Sequence, residues 1–169
     1  MTGPAPRPRV VTGVAEVALN VRDLPRMRRF YEDVLGFPLL YEGCHEDGPE
    51  PDPDGEPTIA FLTIAEADTP LGHRGHPQIL ALIDYRRHAF ARERFRGHEP
   101  STSTFNHLAF EIPADRYKAE RTRLTEHGLD PDARSLPGMA ARSLFFDDPE
   151  GNQIELICPD PGMTSTSQD

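Results

Sequence analysis

The chain has 169 residues, 37% apolar and 27% charged, with 18 Lys and Arg against 28 Asp and Glu for a net charge of −10. That is one ordinary domain's worth of a folded composition, which excludes a disordered chain. No apolar run approaches the roughly 20 residues that span a bilayer, and a surface this acidic repels phosphate backbones. Membrane and nucleic-acid partners are therefore excluded. The Pro-rich start lacks the apolar stretch of a signal peptide, so a cytoplasmic location is expected, with Cys44 and Cys158 as free thiols.

Residues 14–21 alternate, with Val17, Leu19 and Val21 on one side and Glu16, Ala18 and Asn20 on the other, which predicts a half-buried strand. Asp23 offers a cap and Pro25 suits a first helical turn. Leu24, Met27, Phe30, Tyr31 and Val34 then recur at helical spacing up to Gly36, a stop signal. Short strands are predicted at 37–41, 58–64 and 78–83. Between the first two of these, residues 43–57 hold mostly Gly, Pro, Asp and Glu and read as a long mobile loop. The Arg-rich stretch 85–95 reads as a polar helix or linker.

The pattern then returns. Residues 105–112 alternate like the first strand, a helix is predicted over 114–127 with Gly128 closing it, and strands follow at 141–146 and 153–158 around the turn from Asp147 to Asn152. Glu16-Val-Ala-Leu-Asn-Val matches His107-Leu-Ala-Phe-Glu-Ile in polarity, and Gln78-Ile-Leu-Ala-Leu echoes Gln153-Ile-Glu-Leu. The chain is thus read as α+β, two βαβββ modules forming a curled eight-stranded mixed sheet around a shared cavity. The expected boundaries are 10–84 for the first module, 85–104 for a linker, 105–160 for the second module and 161–169 for a disordered tail.

Strand parity selects the residues facing that cavity. Glu16 and His107 hold the same slot in the two copies, and Glu155 sits between Ile154 and Leu156 on the polar face of the last strand. One imidazole and two carboxylates from three strands form a divalent-metal site with open positions. The remaining histidines show no ligand spacing. Tyr31 is expected in the core and Arg142 near the cavity mouth.

The stretches VALNVRDLPRMRRFYEDVLGF, FNHLAFEI and SLFFDDPEGNQIEL resemble the vicinal oxygen chelate superfamily, which includes glyoxalase I, extradiol dioxygenases, fosfomycin-resistance enzymes and bleomycin-binding proteins. The resemblance covers nearly all of residues 14–159, and it implies metal ligands at Glu16, His107 and Glu155. The fourth ligand slot of glyoxalase I falls on Ala81, which coordinates nothing, and a Tyr common in extradiol enzymes is replaced by Phe145. Gln78 stands where a catalytic His is often found, with His76 two residues earlier as a further acid/base candidate. With His changed to Glu at position 16, the resemblance favours Fe(II) or Mn(II), with Zn(II) or Mg(II) as alternatives. It implies a metal-dependent, dioxygenase-like enzyme acting on a small oxygenated, aromatic substrate, assembled as a homodimer. Two other readings stay open: a metal-free drug-binding protein and a glyoxalase-like lyase or isomerase.

Overall fold

The computed structural model describes residues 14–44, 55–66, 77–88, 91, 106–136, 140–160 and 162. All of the expected 161–169 tail except residue 162, most of the 43–57 loop, most of the 85–104 linker, and His45, His73, His76 and His98 lie outside the described residues.

In chain order the elements are β1 (Glu16–Val21), α1 (Leu24–Asp33), β2 (Leu39–Gly43), β3 (Ile59–Ala65), β4 (Gln78–Asp84), β5 (His107–Glu111), α2 (Tyr117–Glu126), β6 (Asp132–Leu136), β7 (Ala141–Asp147) and β8 (Gln153–Pro159). A 3-10 turn, Ala114–Arg116, leads into α2. The fold is α+β. The eight strands form two four-stranded mixed sheets of identical topology, β1-β4-β3-β2 and β5-β8-β7-β6. In each, the first strand runs parallel to the last and the other pairings are antiparallel. No described helix is long and apolar enough to cross a membrane.

Contacts divide the chain into two units: Phe37–Glu93 with the chain up to Leu24, and Pro25–Gly36 with the chain from Arg94 onward. Helix α1 therefore groups with the second sheet, although it follows a strand of the first. Two interactions account for this. The buried Tyr31 hydroxyl donates to Asp148 Oδ2 at 2.8 Å, and the Arg123 guanidinium of α2 donates to the Val34 carbonyl at the C-terminal end of α1, where helix carbonyls lack intrahelical partners. Burial, then the facing Asp148 carboxylate, pushes the Tyr31 phenol well above its ordinary pKa.

Both predicted glycine stops are borne out. Gly36 has φ +71° and Gly128 φ +80°, where a side chain would be strained. After α2 the Leu129 amide reaches back to the Leu124 carbonyl at 3.0 Å, a Schellman closure. The predicted helical stripe Leu24, Met27, Phe30, Tyr31 and Val34 is buried throughout.

The first unit buries Leu19, Val21, Leu62, Leu80 and Leu82. At the end of β4, Asp84 is 1% exposed and takes hydrogen bonds from Arg86 and Arg87. Burial alone would raise its carboxyl, but these bonds win and hold it below the usual carboxylate range. His88, read as a loop or polar-helix residue, is also buried in this unit.

Candidate functional site

The face of the second sheet that carries His107 is set by register. Across the strands His107 pairs with Gln153, Ala109 with Glu155, Glu155 with Phe145, Phe145 with Asp132, and Ser143 with Arg134. Paired residues share a face. The face therefore carries His107, Glu155, Phe145, Ser143 and Arg134. The opposite face carries Leu144, Phe146, Ile154, Leu156 and Cys158, all buried.

On the site face His107 Nε2 lies 3.0 Å from Glu155 Oε2, with the imidazole one-third exposed and the carboxylate nearly covered. The buried Ser143 hydroxyl donates to Glu155 Oε1, so each carboxylate oxygen has its own partner. Asn106 Oδ1 stands 2.6 Å from His107 Nδ1. A carboxamide oxygen only accepts, so the ring proton sits on Nδ1 and the Nε2 lone pair turns toward Glu155. Two acceptors then face each other across 3.0 Å. A proton between them or a shared cation would satisfy both.

The pair fits a metal. Around an ion with bonds of about 2.1 Å, adjacent donors stand about 3 Å apart, and a ligating His characteristically gives its other N–H to an oxygen such as that of Asn106. Among the described residues no group of three or more His, Cys, Asp or Glu that could hold a metal ion is assembled.

Glu16 is exposed at the start of β1 in the first unit. Its register partner is Ile79, and Ala18 pairs with Ala81. Ala81 is thus the structural counterpart of Glu155, whose partner Ala109 stands two residues after His107. Gln78 precedes Ile79, so alternation turns it to the face opposite Glu16. Arg142 likewise does not stand on the Glu155 face. Its guanidinium stacks on the Tyr117 ring at 4.3 Å and donates to the Ala114 carbonyl at 2.9 Å, beside an open groove of about 770 Å³ along α2 that has no His–carboxylate pair.

Sequence reasoning missed Asn106 and Ser143. Asn106 was legible as the polar residue beside a candidate ligand. Ser143 required the β7–β8 register. Phe145 packs edge-on to His107 with ring centroids 5.7 Å apart, an apolar wall beside the pair.

The model of the Glyoxalase/Bleomycin resistance protein/Dioxygenase superfamily matches residues 13–156. The chain belongs to this superfamily. A curated relative, biphenyl-2,3-diol 1,2-dioxygenase 3 of Rhodococcus globerulus, is 28% identical over 152 residues, 87% of this chain but 63% of the relative, so the chain spans under two thirds of that enzyme. Among solved structures, a point mutant of the fosfomycin resistance protein FosX of Listeria monocytogenes, in complex with Mn(II) and 1S,2S-dihydroxypropylphosphonic acid, aligns with TM-score 0.56 at 19% identity over 87% of this chain and 90% of that one. The antibiotic-binding protein TnmS3 of Streptomyces sp. CB03234 aligns with TM-score 0.53 at 24% identity over 89% and 98%. These two structures establish a shared fold. In this chain the second sheet carries His107 and Glu155, and the position of the first sheet that corresponds to Glu155 is Ala81.

Proposed function

We propose that the chain is a divalent-metal-dependent enzyme of the superfamily, dioxygenase-like, acting on a small aromatic substrate with neighbouring oxygens. The observation carrying this reading is the His107–Glu155 pair: two acceptors at metal-donor spacing, each fixed from behind by a hydrogen-bonding neighbour. His107 and Glu155 hold the ion, and Glu16 is our third donor. Two carboxylates and one imidazole favour Fe(II) or Mn(II), with Zn(II) and Mg(II) as alternatives. When bound, such an ion supplies a Lewis acid for two substrate oxygens and, as Fe(II) or Mn(II), electrons toward dioxygen.

The chain's own groups do the positioning. Asn106 fixes the His107 ring and tautomer, Ser143 anchors the far oxygen of Glu155, and the Phe145 ring excludes water from one side of the pair. Phe145 has no hydroxyl, so proton transfer falls to another group; His76 is our candidate, ahead of Gln78 on the opposite sheet face. We read the protein as a cytoplasmic homodimer.

A second reading follows from the same geometry. A second proton on His107 would turn the 3.0 Å contact into an ion pair that needs no metal, and this sheet face would then serve metal-free binding of a small cationic molecule. Oxygen uptake separates the two. Fe(II)- or Mn(II)-loaded protein with a panel of catechols is expected to consume oxygen, with uptake lost in His107→Ala. No uptake across the panel, together with tight metal-independent binding of a basic antibiotic, would leave only the second reading.

A further inference from the structure

We propose that Arg134 selects the substrate, and that the substrate is an aromatic carboxylate. This inference rests on the metal site proposed above and names the part of the ligand that site does not reach. Arg134 lies on β6 opposite Ser143, on the same sheet face as Glu155. Its guanidinium carbon stands 5.4 Å from the centre of the Phe145 ring, whose edge meets His107. The site face therefore presents, in sequence across the strands, a metal-binding pair, an aromatic wall and a cation.

Charge makes the arrangement selective. Among the strand residues of that face, Arg134 is the one Lys or Arg, beside His107, Glu111, Asp132, Asp147 and Glu155. With Asp132 paired to it and the rest of the face acidic, Arg134 would single out an anion by its directed donors and not by a long-range positive field. The guanidinium is also pre-positioned. Asp132 accepts from Nε at 2.7 Å and pairs with Nη2 at 2.6 Å, and the Phe145 ring supports its plane. The Nη1 donors lie outside those contacts, and planar guanidinium donors suit a carboxylate.

Span agrees with this reading. β8 and β6 are two strand spacings apart, roughly 10 Å. A single aromatic ring with its oxygens at the His107–Glu155 pair and a carboxylate at the far end bridges that interval. The cation–π partner already covers one face of Phe145, so the substrate ring lies against the wall's remaining surface and is oriented by its two ends.

Calorimetric titration of metal-free and anaerobic Mn(II)-loaded protein with catechol and with 3,4-dihydroxybenzoate tests this, since the two ligands differ only in the carboxylate. The carboxylate ligand is expected to bind at least tenfold more tightly, with the preference shrinking as salt rises. In Arg134→Gln the preference falls below twofold while catechol affinity stays within twofold of the parent. Equal affinity for the two ligands, no binding of either, or a preference that survives Arg134→Gln overturns the assignment. Metal stoichiometry and oxygen uptake with unsubstituted catechol do not involve Arg134, so they report separately on the proposed metal site.

Discussion

At His107 one hydrogen bond decides the chemistry available to the other ring nitrogen. Asn106 Oδ1 accepts from the Nδ1 N–H, and the Nε2 lone pair is left for whatever joins it to Glu155. Removing that partner frees the ring to rotate and to change tautomer. Asn106→Ala is therefore expected to weaken Mn(II) binding by about 10- to 100-fold while leaving the folded state intact, as read by metal titration beside circular dichroism. An unchanged affinity would mean the ring is oriented by something else. Parity alone placed His107 and Glu155 on one face, because alternating strands announce which side each residue takes. It could not identify Ser143, whose partner is a residue of the next strand. The two copies are offset at Gln78. The two final strands share a Gln-Ile start, yet His107 pairs with Gln153 itself whereas Glu16 pairs with Ile79, one residue later. A slip of one residue reverses the face.

Most elements were legible because each carries its own periodicity and stop. β6 was not. Its residues Asp132–Leu136 show almost no apolar alternation and are exposed apart from the last, since the strand lies at the sheet edge and buries neither face. Its pairing with β7 is carried by backbone bonds, which composition does not reveal. The grouping of α1 was equally hidden, because an apolar stripe says that a helix packs and not on which sheet. Tyr31 marks the answer through its bond to Asp148, which also caps the turn before β8 by accepting from the Glu150 and Asn152 amides. Tyr31→Phe removes a buried bond to a carboxylate and is expected to cost about 1–3 kcal/mol at neutral pH in denaturant unfolding. The sign with pH is fixed by the raised phenol. A group whose folded pKa lies above its unfolded value contributes in full below that unfolded value, about 10 for Tyr, and loses its contribution as pH rises beyond it. The stability gap between parent and Tyr31→Phe should thus narrow above about pH 10. A gap that widens there would contradict the buried, neutral phenol.

Across the whole molecule, duplication is the feature the sequence displayed most clearly, and the two sheets repeat it strand for strand. The copies have diverged where chemistry is concerned, with His107 against Glu16 and Glu155 against Ala81. A homodimer is expected from the proposed reading, so light scattering at micromolar concentration should give twice the 18.9 kDa chain mass; a mass of one chain would refute it. On the proposed reading the His107–Glu155 pair is the core of a metal site. The most direct measurement is anaerobic titration of metal-stripped protein with Mn(II), read by calorimetry and elemental analysis, on the parent and on His107→Ala and Glu155→Ala. One ion per chain is expected in the parent, with at least a 100-fold loss of affinity in each variant. Binding of equal strength in all three proteins, or no stoichiometric binding in the parent, would contradict it.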